Sequence, residues 1–85
     1  MINIWGKIIV DEKLVKHFEV KVSPKECTFF DMIKQLCEGL DIPTPVLLNK
    51  HLEDFNKFSM TVFKPADFIE SVRFDRFIIE YLPEE

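Results

Sequence analysis

The sequence predicts an α+β domain of ββα(α)ββ type, a four-stranded mixed sheet packed on one main helix plus a short second helix. Three observations predict it. Ile2 to Val10 and Leu14 to Val22 alternate apolar and mixed residues with the period of a strand. Phe29, Ile33, Leu36, Cys37 and Leu40 then recur at helical spacing. Finally, Arg73 to Leu82 returns to strand-forming residues, and its Phe77, Ile78 and Ile79 put apolar side chains on both faces.

In the first strand the even positions Ile2, Ile4, Ile8 and Val10 are apolar, with Gly6 among them. The odd positions, Asn3, Trp5, Lys7 and Ile9, are mixed. "DEK" is a tight connection to the second strand. Pairing Val10 with Leu14 keeps the even positions of both strands on one face. It also sets Phe18 opposite Gly6, where a ring can cover the missing side chain. "SPKE" is either a turn or the first turn of the helix. "TFFD" offers Thr28 as N-cap and Asp31 at the third helical position. Lys34, Gln35 and Glu38 take the polar side. Gly39 is placed to end the helix, and Pro43 forbids much continuation.

Pro43 and Pro45 keep Asp41 to Leu48 extended. Asn49 can cap a short helix carrying Leu52, Phe55 and Phe58 on one side. Ser59 to Phe63 is a short third strand, "PADFIE" a turn or a single helical turn, Arg73 to Leu82 the last strand, and "PEE" a polar tail. A last strand that is apolar on both faces belongs at the sheet centre, beside the first strand. With those two strands parallel, the element order resembles the β-grasp proteins. A modifier or sulfur carrier of that kind needs a Gly-Gly tail, and a ferredoxin needs four cysteines. This chain has "PEE" and two cysteines, so both functions are excluded. "LDIPTPVLL", "FKPADFIESVRFD" and "IIEYL" are also similar to a small bacterial family of about this length with no assigned function. That resemblance brings no catalytic motif.

The chain has 85 residues, which predicts a single domain over 1–85. Its 47% apolar and 31% charged residues are those of a globular protein, and its nine phenylalanines predict an aromatic core. The net charge is −4 and the lysines are scattered, so no nucleic-acid partner is expected. No apolar run approaches the ~20 residues that span a bilayer, and no basic leader precedes the first apolar stretch, so neither a membrane partner nor a signal peptide is expected. Cys27 and Cys37 bracket one helix, about 15 Å apart along its axis and beyond disulfide reach. Reduced thiols suit a cytoplasmic protein.

His17, His51, Cys27 and Cys37 form no close-spaced ligand pairs, so no metal and no cofactor are expected. Cys27 lies near a helix N-terminus, but nothing in the sequence sets a histidine beside it, and an inert thiol is the simpler reading. Asp67 is read as a turn cap, and Asp75 and Glu80 as partners of Arg73, Arg76 or a basic neighbour across the sheet. The remaining constellation is apolar. Trp5, Ile9 and Val15 fall on the odd face of the first hairpin, and Phe77, Ile79 and Tyr81 are placed with them. Together they would exceed the apolar patch a monomer usually leaves open, unless residues 41–58 fold back over them with Val46, Leu47, Leu48, Leu52 and Phe55. The expected function is a small cytoplasmic protein-interaction domain that binds a protein partner or a second copy of itself through that face. The alternative is a small enzyme or ligand-binding protein with a shallow pocket near the helix N-terminus, which requires Cys27, His51 and Asp67 to converge.

Overall fold

A computed structural model describes residues 2–23 and 25–82. Pro24 and the polar tail, residues 83–85, lie outside the described residues. The elements run β1 (Ile2–Val10), β2 (Lys13–Val22), α1 (Phe29–Leu40), α2 (Asn49–Phe58), β3 (Met60–Phe63) and β4 (Arg76–Leu82), with a 3-10 turn at Pro65–Asp67. The four strands form one sheet in the order β2-β1-β4-β3. As the double-sided apolar strand required, β4 is central: Phe77 and Ile79 are both 0% exposed.

Every pairing in that sheet is antiparallel, including the central pair of β1 and β4. The mixed sheet with a parallel centre does not form. The reason is α2. The chain runs along β1, back along β2, and out along α1 to Leu40, whose carbonyl accepts from Lys16 Nζ (3.0 Å) at the far end of the hairpin. A chain with one helix would enter β3 from there, and its last strand would then lie parallel to the first. Here α2 makes a further return pass. It starts where the His51 ring lies on Phe63 (4.2 Å) and ends one residue before β3. This extra reversal turns β3 and β4 over.

Local chemistry accounts for the elements. Thr28 caps α1 as its sequence predicts: Thr28 Oγ1 accepts from Asp31 N–H (3.2 Å), and Asp31 Oδ2 accepts from Thr28 N–H (3.1 Å). Ahead of α1, Lys25 and Glu26 lie in a turn, and Ser23 C=O accepts from the N–H groups of Glu26 and Cys27 (3.0 Å each). Gly39 does not end the helix. It sits inside α1, and the left-handed residue that closes the helix is Asp41 (φ 58°). What Gly39 provides is room: a Cβ there would lie 2.4 Å from the Phe18 ring. Phe18 is opposite Gly6 as expected, so the ring reaches across to the helix. Gly6 does the same for the core, since a Cβ would lie 3.1 Å from Phe77 Cε1 and 3.3 Å from the methyls of Leu36 and Leu40.

The hairpin keeps its register only up to Ile8↔Lys16. Ile9 then pairs with Leu14, and Val15 is the extra residue of a bulge. Leu14 therefore moves to the face of Ile9 instead of pairing with Val10. The bulge follows from the two-residue turn, in which Asp11 (φ 50°) and Glu12 (φ 65°) are both left-handed. Asp75 Oδ2 holds that turn by accepting from Asp11 N–H (2.7 Å), where the sequence predicts Arg73, Arg76 or a basic neighbour across the sheet as its partner. A left-handed glutamate carries a steric penalty that glycine does not. Glu12→Gly is expected to stabilise the fold by about 1 kcal/mol, which raises Tm by about 4–8 °C in a chain this small. A thermal melt checks it.

The core lies between the sheet and the two helices. Ile4, Ile8, Val22, Phe63, Phe77 and Ile79 supply the sheet side, and Met32, Ile33, Leu36, Cys37 and Leu40 supply α1. Phe29 of α1 and Phe55 of α2 stack at 4.6 Å, so both helices share one face of the sheet. Phe68 and Phe74, edge to face at 5.3 Å, close the core from the loop before β4.

Candidate functional site

Both helices cover the same face, so the other face of the sheet has no helix over it. Its rows follow from the register. Trp5 lies between Glu19 of β2 and Glu80 of β4, Lys7 between His17 and Ile78, and Asn3 between Lys21 and Leu82. Trp5 is half-buried, held by two neighbours: Lys7 Nζ lies 4.3 Å from the ring centroid, and His17 meets the ring edge-on at 5.8 Å. Lys7 Nζ also pairs with Glu80 Oε1 at 2.6 Å. Ile9 is 9% exposed, while the bulged Val15 is 54% exposed. Asn3 Oδ1 is buried without a hydrogen-bond partner.

Phe77, Ile79 and Tyr81 are not part of this face. They pair with Ile8, Gly6 and Ile4, and share the helix-covered side with them. Phe77 and Ile79 are core residues, and Tyr81 is partly buried against that core. The outward apolar side chains of β4 are Ile78 and Leu82, which the sequence reading left out. A signal for them exists: Arg76, Glu80, Ile78 and Leu82 share one parity, whereas Phe77, Ile79 and Tyr81 have no charge among them. Residues 41–58 do not cover the open face. Ile42, Leu47 and Phe55 pack instead on the core, on the α1 side.

The second cluster joins α2 to the turn before β4. His51, 1% exposed, accepts the Leu48 N–H at Nδ1 (3.0 Å). It thereby satisfies the start of α2, the task sequence assigned to Asn49, which is the first helical residue. Because Nδ1 accepts, the ring proton of the neutral imidazole is on Nε2. Nε2 faces Asp67 Oδ2 at 3.6 Å. The same Oδ2 accepts from Lys64 N–H (2.9 Å), so Asp67 is the turn cap predicted for it. Burial lowers the His51 pKa below the ordinary histidine value. The Asp67 and Asp54 carboxylates oppose that shift and Lys50 adds to it. Neither ring nitrogen is available to take a proton from a substrate.

Cys27 does not join His51 and Asp67. Its Sγ accepts a long hydrogen bond from Gln35 Nε2 (3.9 Å), and no hydrogen bond or ion pair links it to either residue among the described residues. The convergence required for a pocket at the start of α1 is met by two of the three side chains only. Cys37 is buried in the core, where desolvation and then the neighbouring Glu38 carboxylate push its thiol up to about 12. In the native protein a thiol reagent such as Ellman's reagent is expected to modify Cys27 alone, with Cys37 reacting only after denaturation. Two equivalents released at once from folded protein would contradict this burial.

Among the described residues, no group of three or more His, Cys, Asp or Glu side chains could hold a metal ion, and no helix is long and apolar enough to cross a membrane. No protein family, curated protein or solved structure matches the chain.

Proposed function

We propose that the chain is a cytoplasmic protein-interaction domain that pairs with a second copy of itself through the open face of its sheet. The observation that supports this is the placement of both helices on one side, which leaves Trp5, Ile9 and Ile78 on a face with no covering layer. Aromatic and aliphatic groups of this kind anchor interfaces when a rim of charges surrounds them. That rim is of mixed sign, with Lys7, Lys21 and Arg76 beside Glu19 and Glu80. A two-fold axis sets the same patch against itself, so a face carrying both signs can meet its own copy with opposite charges opposed. The free cysteines suit a reducing compartment.

Sedimentation velocity over a concentration series tests the reading. The wild-type chain is expected to shift from monomer to dimer mass, while Trp5→Ser stays monomeric with an unchanged circular dichroism spectrum. A wild-type chain that remains monomeric at every soluble concentration removes the proposal.

A further inference from the structure

The strand β3 ends the sheet on the side away from β2. The Tyr81 N–H donates to Ser59 C=O (2.8 Å), which sets the phase of the ladder between β3 and β4. In an antiparallel pair, alternate residues aim both backbone groups at the partner strand, and those between them aim both away. Ser59 faces β4, and so by alternation do Thr61 and Phe63. Met60 and Val62 therefore turn their N–H and C=O groups toward the unpaired edge.

That edge is not bare. The helix α2 runs back alongside β3, joined to it through Ser59 alone, and a groove of about 520 Å³ lies between them. The two ends of the groove differ. Phe58, 67% exposed, and Met60 make an apolar end where the helix meets the strand. Lys50 and Lys64 make a cationic end, because the first turn of α2 lies over the end of β3. Asp54 is the one acidic residue lining it. Thr61 Oγ1, on a residue that lines the groove, is buried with no hydrogen-bond partner. Unpaired backbone and graded charge call for a ligand that carries its own amides.

We propose that this edge accepts a further β-strand: an extended segment of a partner protein that pairs with Met60 and Val62. Its apolar side chain rests on Phe58 and Met60, and an acidic side chain reaches Lys50 and Lys64. Met60 and Lys64 are about 13 Å apart along an extended chain, so the two anchor side chains stand four residues apart on one face of the segment. Backbone pairing supplies affinity and the alternate side chains supply selectivity. Met60 and Val62 pair with Glu80 and Ile78, so their side chains lie at the margin of the open sheet face, two strands away from Trp5.

The probe is a fluorescein-labelled peptide, Thr-Asp-Thr-Val-Thr-Phe-Thr, blocked at its C-terminus, followed by fluorescence anisotropy. Saturable binding is expected, with slowed hydrogen exchange at the Met60 and Val62 amides. Val62→Pro removes an outward N–H that the sheet does not use, a position where an edge strand tolerates proline, and is expected to abolish binding with the fold intact. Lys50→Glu combined with Lys64→Glu is expected to weaken binding about tenfold or more. Trp5→Ser is expected to leave it unchanged, which separates this site from the self-association face. Absence of saturable binding overturns the proposal, as does binding that survives Val62→Pro. If the proline variant fails to fold, the exchange rates of the wild-type Met60 and Val62 amides decide alone: no gain in protection with peptide sinks the idea.

Discussion

Phe77→Ala is expected to destabilise the protein by about 3–5 kcal/mol, as loss of a buried phenyl ring generally does. A domain of this size has a total stability of about 4–13 kcal/mol, so a large part of the variant population is expected to be unfolded at 37 °C. The ring is 0% exposed, stacks on Phe63 at 5.8 Å, and fills the space that Gly6 leaves open between strand and helix. Removing it leaves a cavity that Leu36 and Leu40 cannot fill without moving α1. The neighbouring residue gives the control. Ile78 points to the open face and is half-buried, so Ile78→Ala is expected to cost about 1 kcal/mol. Urea denaturation of both variants, read as midpoint shifts at constant slope, makes the comparison. Equal losses at the two positions would mean that the inward and outward faces of β4 are misassigned.

His51→Ala is expected to cost about 2–4 kcal/mol and to remove most of the pH dependence of stability near neutrality. The imidazole fills a core position against Phe63 and accepts the Leu48 N–H, which loses its acceptor in the variant. The pH dependence follows from the direction of the shift. The folded-state pKa is lowered, mainly by burial, so the folded protein binds the His51 proton less readily than the unfolded chain. Stability from this residue is full above the unfolded value of about 6.5 and is lost as pH falls from there toward the folded value. The slope is at most about 1.4 kcal/mol per pH unit, for a single proton. Protonation also puts a hydrogen on Nδ1 that opposes the Leu48 N–H, so the start of α2 is the first part expected to loosen. His51→Gln keeps an acceptor at the third helical position and removes the titration. It is expected to retain more stability than alanine and to flatten the profile below the unfolded value of about 6.5. A profile unchanged from wild type would show that the histidine does not control it.

Much of this fold was legible because local chemistry and burial agree. Thr28 and Asp31 mark the start of α1 by residue type alone, and the apolar even positions of β1 define the inward face. Asp67 caps its turn as its spacing from Lys64 suggests. The losses have physical causes. The strand direction at the centre depended on whether α2 crosses the sheet or lies beside it, and ten polar-rich residues do not say which. The facing of β4 was misread because both parities are apolar, although the charges on Arg76 and Glu80 mark the wet side. The bulge at Val15 arises from turn geometry at Asp11 and Glu12, neither of which is a residue that favours a left-handed backbone strongly enough to announce it. The role of His51 as the acceptor for α2 was hidden by a neighbour, Asn49, that looked like the better cap.

The antiparallel contact of β1 with β4 joins Ile4 to Tyr81, residues far apart in the sequence. A ribosome making this protein therefore releases the first hairpin long before its central neighbour exists. Until β4 emerges, the inner edge of β1 is unsatisfied and Ile4 and Ile8 have no opposite strand. Closing so long a loop is entropically slow, and folding is expected to wait until β4 has been made. During that interval the nascent chain is a substrate for holdase chaperones, and a stalled or truncated translation product has no native state to reach.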